Sequence, residues 1–189
     1  MRQALILHGT DATPANNWFA WLKEQLEQDG YKVWLPQLPN SDKPNTETYN
    51  KFLLSNPDFD FNEETIIIGH SSGAVEALSL LQYLPDSIKV KAVFLVSAFR
   101  DDLGWDALTG LFTEPFDFEK VKTKAEKFVF IHSDNDPYVP LEHAQYLAEQ
   151  VGGELIVKSG QGHFNTELSE QYRAFPELLE LIEKNAVSR

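Results

Sequence analysis

Six short apolar runs, at residues 4–7, 32–35, 65–68, 92–96, 128–131 and 154–157, recur along the chain at intervals too long for hairpins. Unbroken apolarity over four or five residues marks a strand buried on both faces, and parallel strands of that kind are joined by crossovers of a dozen residues or more. The intervening segments carry apolar residues at helical spacing over 17–28, 72–84, 141–151 and 169–184, with a weaker fifth pattern over 46–55. Strand and helix in alternation leave few packings, and the expected one is α/β: a doubly wound parallel sheet of about six strands with helices on both faces. Ligands of such sheets bind beyond the carboxyl ends of the strands. Four of the five histidines (His8, His70, His132 and His163) follow strands.

With 189 residues the chain is expected to form one domain over 1–189, and its 42% hydrophobic content, including 13 Phe, is ample for a packed core. A net charge of −13 repels phosphate backbones and anionic lipid surfaces, so neither nucleic acid nor membrane is an expected partner. Without cysteine there are no disulfides, thiolate metal sites or cysteine nucleophiles, which suits a cytoplasmic protein. The apolar stretch at the start of the chain is too short for a signal-peptide core and reads as a first strand, and no run is long enough to span a bilayer. A frayed tail is expected from residue 185. Residues 100–127 interrupt the alternation with Trp105, Leu108, Leu111, Phe112, Phe116 and Phe118, broken by Pro115. Two readings stay open there, a small cap over the site or an ordinary crossover helix with aromatic core anchors.

Between the strand at 65–68 and the helix that follows stands Gly69-His70-Ser71-Ser72-Gly73, a G-x-S-x-G in the strand-turn-helix setting of a nucleophile elbow. A serine hydroxyl attacks poorly unless it is exposed on a sharp turn beside a base and near N–H groups that take up negative charge. The elbow therefore requires an acid after a later strand and then a histidine. After the strand at 128–131 comes His132-Ser133-Asp134-Asn135-Asp136-Pro137, in which Asp136 is the candidate acid and Asp134 its close competitor, with Asp101 and Asp102 a third possibility. Each of these aspartates could instead cap a helix or close a turn. After the last strand comes Gly160-Gln161-Gly162-His163, and His163 is the candidate base by its position after the acid.

The remaining histidines are assigned other places. His143, at a helix start, reads as a surface or capping residue, His132 as part of the acidic loop's frame, and His70 as packing below Ser71 or lining the pocket. His8-Gly9-Thr10 ends the first strand in a tight turn, so the backbone N–H groups of Thr10 and Ser72 are the expected oxyanion donors. Histidines with carboxylates also make metal sites, but no H-x-H, H-x-x-x-H or HExxH spacing occurs, and the glycine-rich turns lack a P-loop lysine or dinucleotide fingerprint. No metal and no cofactor is expected. Trp18, Phe99, Trp105, Phe112 and Phe164 suggest an apolar acyl pocket at the mouth.

The stretch from Thr65 to Ala74, with Leu95-Val96-Ser97-Ala98, Asp102-Leu103-Gly104, Phe112-Thr113, Asp136-Pro137 and Gly162-His163-Phe164, resembles the α/β-hydrolase superfamily and, within it, the small serine hydrolases of the retinoblastoma-binding-protein family. That resemblance implies a compact α/β-hydrolase sheet of order 2-1-3-4-5-6. It implies Ser71, Asp136 and His163 as the catalytic triad, Asp136 being favoured over Asp134 because Asp-Pro-x-x-Pro matches the family's acid loop. The expected activity is serine hydrolysis of a small ester, thioester or amide through an acyl-enzyme. An acyltransferase using the same triad, or a binding module with little catalysis, are the alternatives. The tumour-suppressor partner in the family's name is not implied, because a Leu-x-Cys-x-Glu segment cannot occur without cysteine. The Thr10 assignment rests on the wider superfamily, as His8-Gly9-Thr10 is not a glycine-only turn.

Overall fold

The computed structural model describes residues 1–186. The strands are β1 (Gln3–Leu7), β2 (Lys32–Trp34), β3 (Thr65–His70), β4 (Val90–Val96), β5 (Ala125–Ser133) and β6 (Glu154–Lys158). All pairings are parallel, and the order is β2-β1-β3-β4-β5-β6. The helices are α1 (Phe19–Gln28), α2 (Thr46–Leu54), α3 (Ser72–Tyr83), α4 (Phe118–Val121), α5 (Leu141–Val151) and α6 (Pro176–Ala186).

Alternation along each strand sorts its side chains into two cores. Leu5, Leu7, Ile67, Val93, Leu95 and Phe130 face α2, α3 and α5, whereas Ile6, Ile66, Ile68, Phe94, Val96 and Ile131 face α1 and α6. The sheet is thereby doubly wound, as the runs of buried residues in β1, β3 and β4 require. Its register aligns His70 with Val96 and Val96 with Ile131, so the segments after β3, β4 and β5 emerge along one edge. No helix of the described residues is long and apolar enough to cross a membrane.

The elements follow the sequence patterns except at 169–184, at the start of the expected tail and at 100–127. The weak pattern at 46–55 forms a regular helix because Asn45 Oδ1 accepts the Thr48 N–H at 2.9 Å while Tyr49 and Leu53 are buried against the sheet. The pattern at 169–184 is split. Residues Glu170–Arg173 form a 3-10 turn, and α6 begins at Pro176, where a missing N–H costs nothing. The helix runs through Asn185 to Ala186, and the rest of the expected frayed tail lies outside the described residues. Residues 100–127 form neither a regular crossover helix nor a separate layer. A 3-10 turn at Asp106–Leu111 packs Leu108 and Leu111 on Phe99, Val75 and Val139, and the single turn α4 follows.

At the β3–α3 junction the backbone passes closer to its neighbours than side chains allow. A Cβ at Gly69 would lie 2.5 Å from Ala74 Cα, and one at Gly73 would lie 2.3 Å from the Leu7 carbonyl oxygen of β1. Gly73→Ala is therefore expected to lower the unfolding free energy by about 3 kcal/mol through forced separation of α3 from β1. Urea unfolding measures it. Gly104→Ala is the control, because its Cβ meets nothing within 4 Å and only the left-handed backbone opposes it.

Candidate active site

Ser71 occupies the turn between Gly69 and Gly73 with φ 56° and ψ −123°, a conformation that non-glycine residues adopt only when their surroundings enforce it. Its N–H donates to the Val96 carbonyl at 2.9 Å, and its own carbonyl accepts from the N–H groups of Ala74 and Val75. With the main chain held on both sides, the half-buried side chain points into a cleft of about 410 Å³ that Gly9, Thr10, His70 and His163 also line. Among the described residues the Ser71 hydroxyl has no hydrogen-bond partner, so the shared cleft rather than a direct bond relates it to His163.

Behind His163 lies Asp136, whose side chain is fully buried. Its Oδ2 is 2.7 Å from His163 Nδ1 and also accepts the Ser97 hydroxyl at 2.9 Å, while its Oδ1 accepts the N–H groups of Tyr138 and Val139 at 3.0 and 3.1 Å. Burial is the strongest single influence on this carboxyl and pushes it up. The hydrogen bond and charge of His163, with the two amides, outweigh burial and hold it below the ordinary carboxylate range. Asp134 is turned elsewhere: it is exposed and its Oδ1 accepts the Gly160 N–H at 2.8 Å. Asn135 Oδ1 accepts the Gly162 N–H, and Ser133 Oγ accepts the Gln161 N–H, so the acidic loop and the histidine loop are laced together. Asp101 and Asp102 bond the amides of Leu103 and Gly104 within their own turn and do not reach His163.

The other histidines are neutral struts. His70 Nε2–H donates to the His163 carbonyl at 2.8 Å, and burial, aided by the nearby His163, drives its pKa down to about 3. His8 accepts the Leu38 N–H on Nε2 at 3.0 Å, and His132 donates from Nε2 to the Val139 carbonyl at 2.8 Å; burial lowers the proton affinity of both. His143 departs from its reading as a surface or capping residue. It is buried, and its Nδ1 accepts the Arg100 N–H at 3.2 Å, because α5 packs on the segment leaving β4.

Thr10 lies on the cleft wall with its hydroxyl donated to Ser72 Oγ at 3.0 Å, and Ser72 is the fully buried first residue of α3. Among the described residues the backbone N–H groups of Thr10 and Ser72 donate to no protein acceptor. Of the aromatics assigned to the mouth, Phe99 and Trp105 line the cleft. Trp18 and Phe164 belong to the core under α1 and α6, with Trp18 Nε1–H donated to the Phe164 carbonyl, and Phe112 packs behind Phe99. Ser97 is the site residue to which sequence reasoning gave no task. Its place beside Asp136 depends on the pairing of β4 with β5, for which a single sequence carries no signal. Among the described residues no three His, Cys, Asp or Glu side chains gather as a metal cage.

A parallel sheet of order 2-1-3-4-5-6 with a cleft-lining serine on a strained strand-to-helix turn, and on the same cleft a histidine paired with a buried carboxylate, defines the α/β-hydrolase class. The chain belongs to the serine hydrolase family, whose model matches residues 4–184, and it is accordingly a hydrolytic enzyme. It is 30% identical over 176 residues, 91% of either chain, to the serine hydrolase RBBP9 of Rattus norvegicus. It is 31% identical over 164 residues, 86% of either chain, to YdeN of Bacillus subtilis (strain 168). The crystal structure of the B. subtilis ydeN gene product superposes with a TM-score of 0.90 at 27% identity, covering 98% of both chains.

The buried neutral histidines set a pH dependence of stability. The unfolded chain takes up protons on these imidazoles below about pH 6.5, whereas folded His70 does not until about pH 3, so the folded state loses stability as pH falls through that window. For His70 the unfolding free energy is expected to fall by an amount that approaches about 1.4 kcal/mol per pH unit once the pH is below about 6.5, and His8 and His132 add losses of the same sign, measured by urea midpoints between pH 7 and 5. Asp136, held low, adds its own loss only below about pH 4.

Proposed function

We propose that Ser71, His163 and Asp136 work as nucleophile, general base and orienting acid in hydrolysis of a small carboxylic ester, thioester or amide. The observation that supports this most is the 2.7 Å bond from His163 Nδ1 to a buried, low-affinity carboxylate, with His163 and Ser71 on one cleft wall. A bond from Nδ1–H to Asp136 leaves Nε2 as the basic nitrogen. As Ser71 Oγ bonds to the substrate carbonyl carbon, its proton passes to His163 Nε2 and the carbonyl electrons move onto oxygen. The Thr10 and Ser72 amides, which among the described residues donate to no protein acceptor, take up that oxyanion. Collapse expels the alcohol, thiol or amine with the proton from Nε2. Water then attacks the acyl-serine, gives its proton to His163, and on the second collapse the proton returns to Ser71 Oγ.

One side of the cleft is apolar (Phe99, Leu103, Leu108 and Val139), and residues of the 100–127 insertion build much of it, which is the part of a small cap. The opposite side is polar and bears Asp11 and Glu167, and no Lys or Arg is among the residues lining the cleft. An apolar acyl or alkoxy group and an uncharged or cationic remainder match these walls, whereas an anionic substrate meets two carboxylates and a chain of net charge −13. The lack of cysteine suits work in the cytoplasm.

A fluorophosphonate probe is expected to label the folded protein and not Ser71→Ala, and that variant should lose about a thousandfold or more in kcat on para-nitrophenyl butyrate. Labelling of wild type and Ser71→Ala alike would end the proposal. The para-nitrophenyl hemisuccinate ester, which carries a carboxylate, is expected to show a kcat/KM at least about tenfold below the butyrate at low salt, with the gap narrowing as salt is added.

A further inference from the structure

We propose that Ser97 is a positioning residue of this reaction, acting on His163 through Asp136; the inference rests on the triad reading above. Asp136 is shut off from water, so each of its lone pairs must find a donor within the protein or carry a desolvation cost. Oδ1 is supplied by two main-chain amides of its own loop, Tyr138 and Val139. Those bonds form wherever the loop forms. Oδ2, the oxygen that faces the imidazole, has one donor besides His163, the hydroxyl of Ser97 at 2.9 Å. His132 Nε2 stands 3.9 Å from the same oxygen, beyond hydrogen-bond reach, with its N–H given to the Val139 carbonyl at 2.8 Å. The titratable groups around this carboxylate and its imidazole are thus His163, His132, His70 behind His163, and Tyr138, whose ring packs on His163 and whose hydroxyl donates to Glu167; His132 and His70 are neutral.

The backbone of Ser97 is bent to make that bond. Its N–H donates to the Ile131 carbonyl at 3.0 Å, continuing the β4–β5 ladder, and the residue then adopts φ 52°, which leaves the strand direction and is unfavourable for any residue with a Cβ. Ser97 has no exposed surface and no second side-chain hydrogen bond among the described residues. A strained, fully buried residue whose hydroxyl serves one carboxylate oxygen is placed to fix the plane of that carboxylate and to share its charge. Without the hydroxyl, Oδ2 holds more negative charge against the imidazole and the carboxylate is free to rotate. The first change favours imidazolium in the resting enzyme, and the second loosens the angle at which Nε2 meets Ser71.

Two variants separate the hydroxyl from the bend. Ser97→Ala removes the hydroxyl and keeps the strain, whereas Ser97→Gly removes both. Each is compared with wild type and with Ser71→Ala for steady-state ester hydrolysis across pH, the rate of fluorophosphonate labelling, and thermal melting. We expect kcat/KM to fall about tenfold in both variants, carried by kcat with KM little changed. The acid limb of the profile should move to higher pH by the same amount in both, and labelling should slow in parallel. Melting temperatures should diverge, glycine above alanine. The proposal is overturned if either variant keeps wild-type kcat and acid limb, if Ser97→Gly is active while Ser97→Ala is not, or if the loss lies in KM alone. Wild-type protein that fails to label at all would instead overturn the triad reading beneath it.

Discussion

The site depends on one close approach, that of the first turn of α3 to the ends of β1 and β3. Gly73 lies against the Leu7 carbonyl and Gly69 against Ala74, at separations that leave no room for a Cβ. Helix and strands can come that near only because both positions lack side chains, and the residue between them is then forced to a positive φ. The same approach presents Ser71 above the sheet edge at the start of α3, where among the described residues the Ser72 N–H has no protein acceptor. Conformational strain at Ser71 is sustained by packing that lies almost wholly elsewhere, in two cores that fill both faces of the sheet.

Electrostatics then divide the histidines. Five are present, and four cluster at the carboxyl ends of the strands, yet among the described residues only His163 hydrogen-bonds a carboxylate. His8 bonds main-chain groups through both ring nitrogens, His70 and His132 each donate from Nε2 to a main-chain carbonyl, and burial keeps all three neutral. They brace the loops without adding charge to the site. The single buried carboxylate near them is stabilised by four donors, so the negative charge is localised where the imidazole meets it.

Much of this architecture was readable from the chain itself, for reasons that differ by element. Parallel strands covered on both faces need continuous apolar runs, which located β1, β3, β4 and β5; the runs at 32–35 and 154–157 also became strands, but as β2 and β6 at the sheet edges they are only partly buried. Helix α5 begins and ends at the predicted residues, with Pro140 before it and Gly152 after it. The pattern at 169–184 misled because apolar spacing continues across Pro176, whereas the hydrogen-bond ladder cannot. Asp134 and Asp136 were not separable from local chemistry, since both are loop aspartates capable of closing turns. What distinguishes them is the histidine loop approaching from β6, which offers Asp134 an amide and Asp136 an imidazole. Trp18 and Phe164 read as pocket aromatics because hydrophobicity does not report depth, and both proved to be core.

By itself the sequence determined the order and kind of the elements, the elbow with its two obligatory glycines, and the loops from which an acid and a base would come. Each of these is local: periodicity, steric demand at a turn, and chain order are properties of neighbouring residues. Only the tertiary structure decided which loop aspartate meets His163, that Ser97 shares its carboxylate, that His143 is buried against the segment leaving β4, and which aromatics face the cleft. Those facts come from contacts between residues tens of positions apart, set by the sheet register and by the packing of the loops on one another.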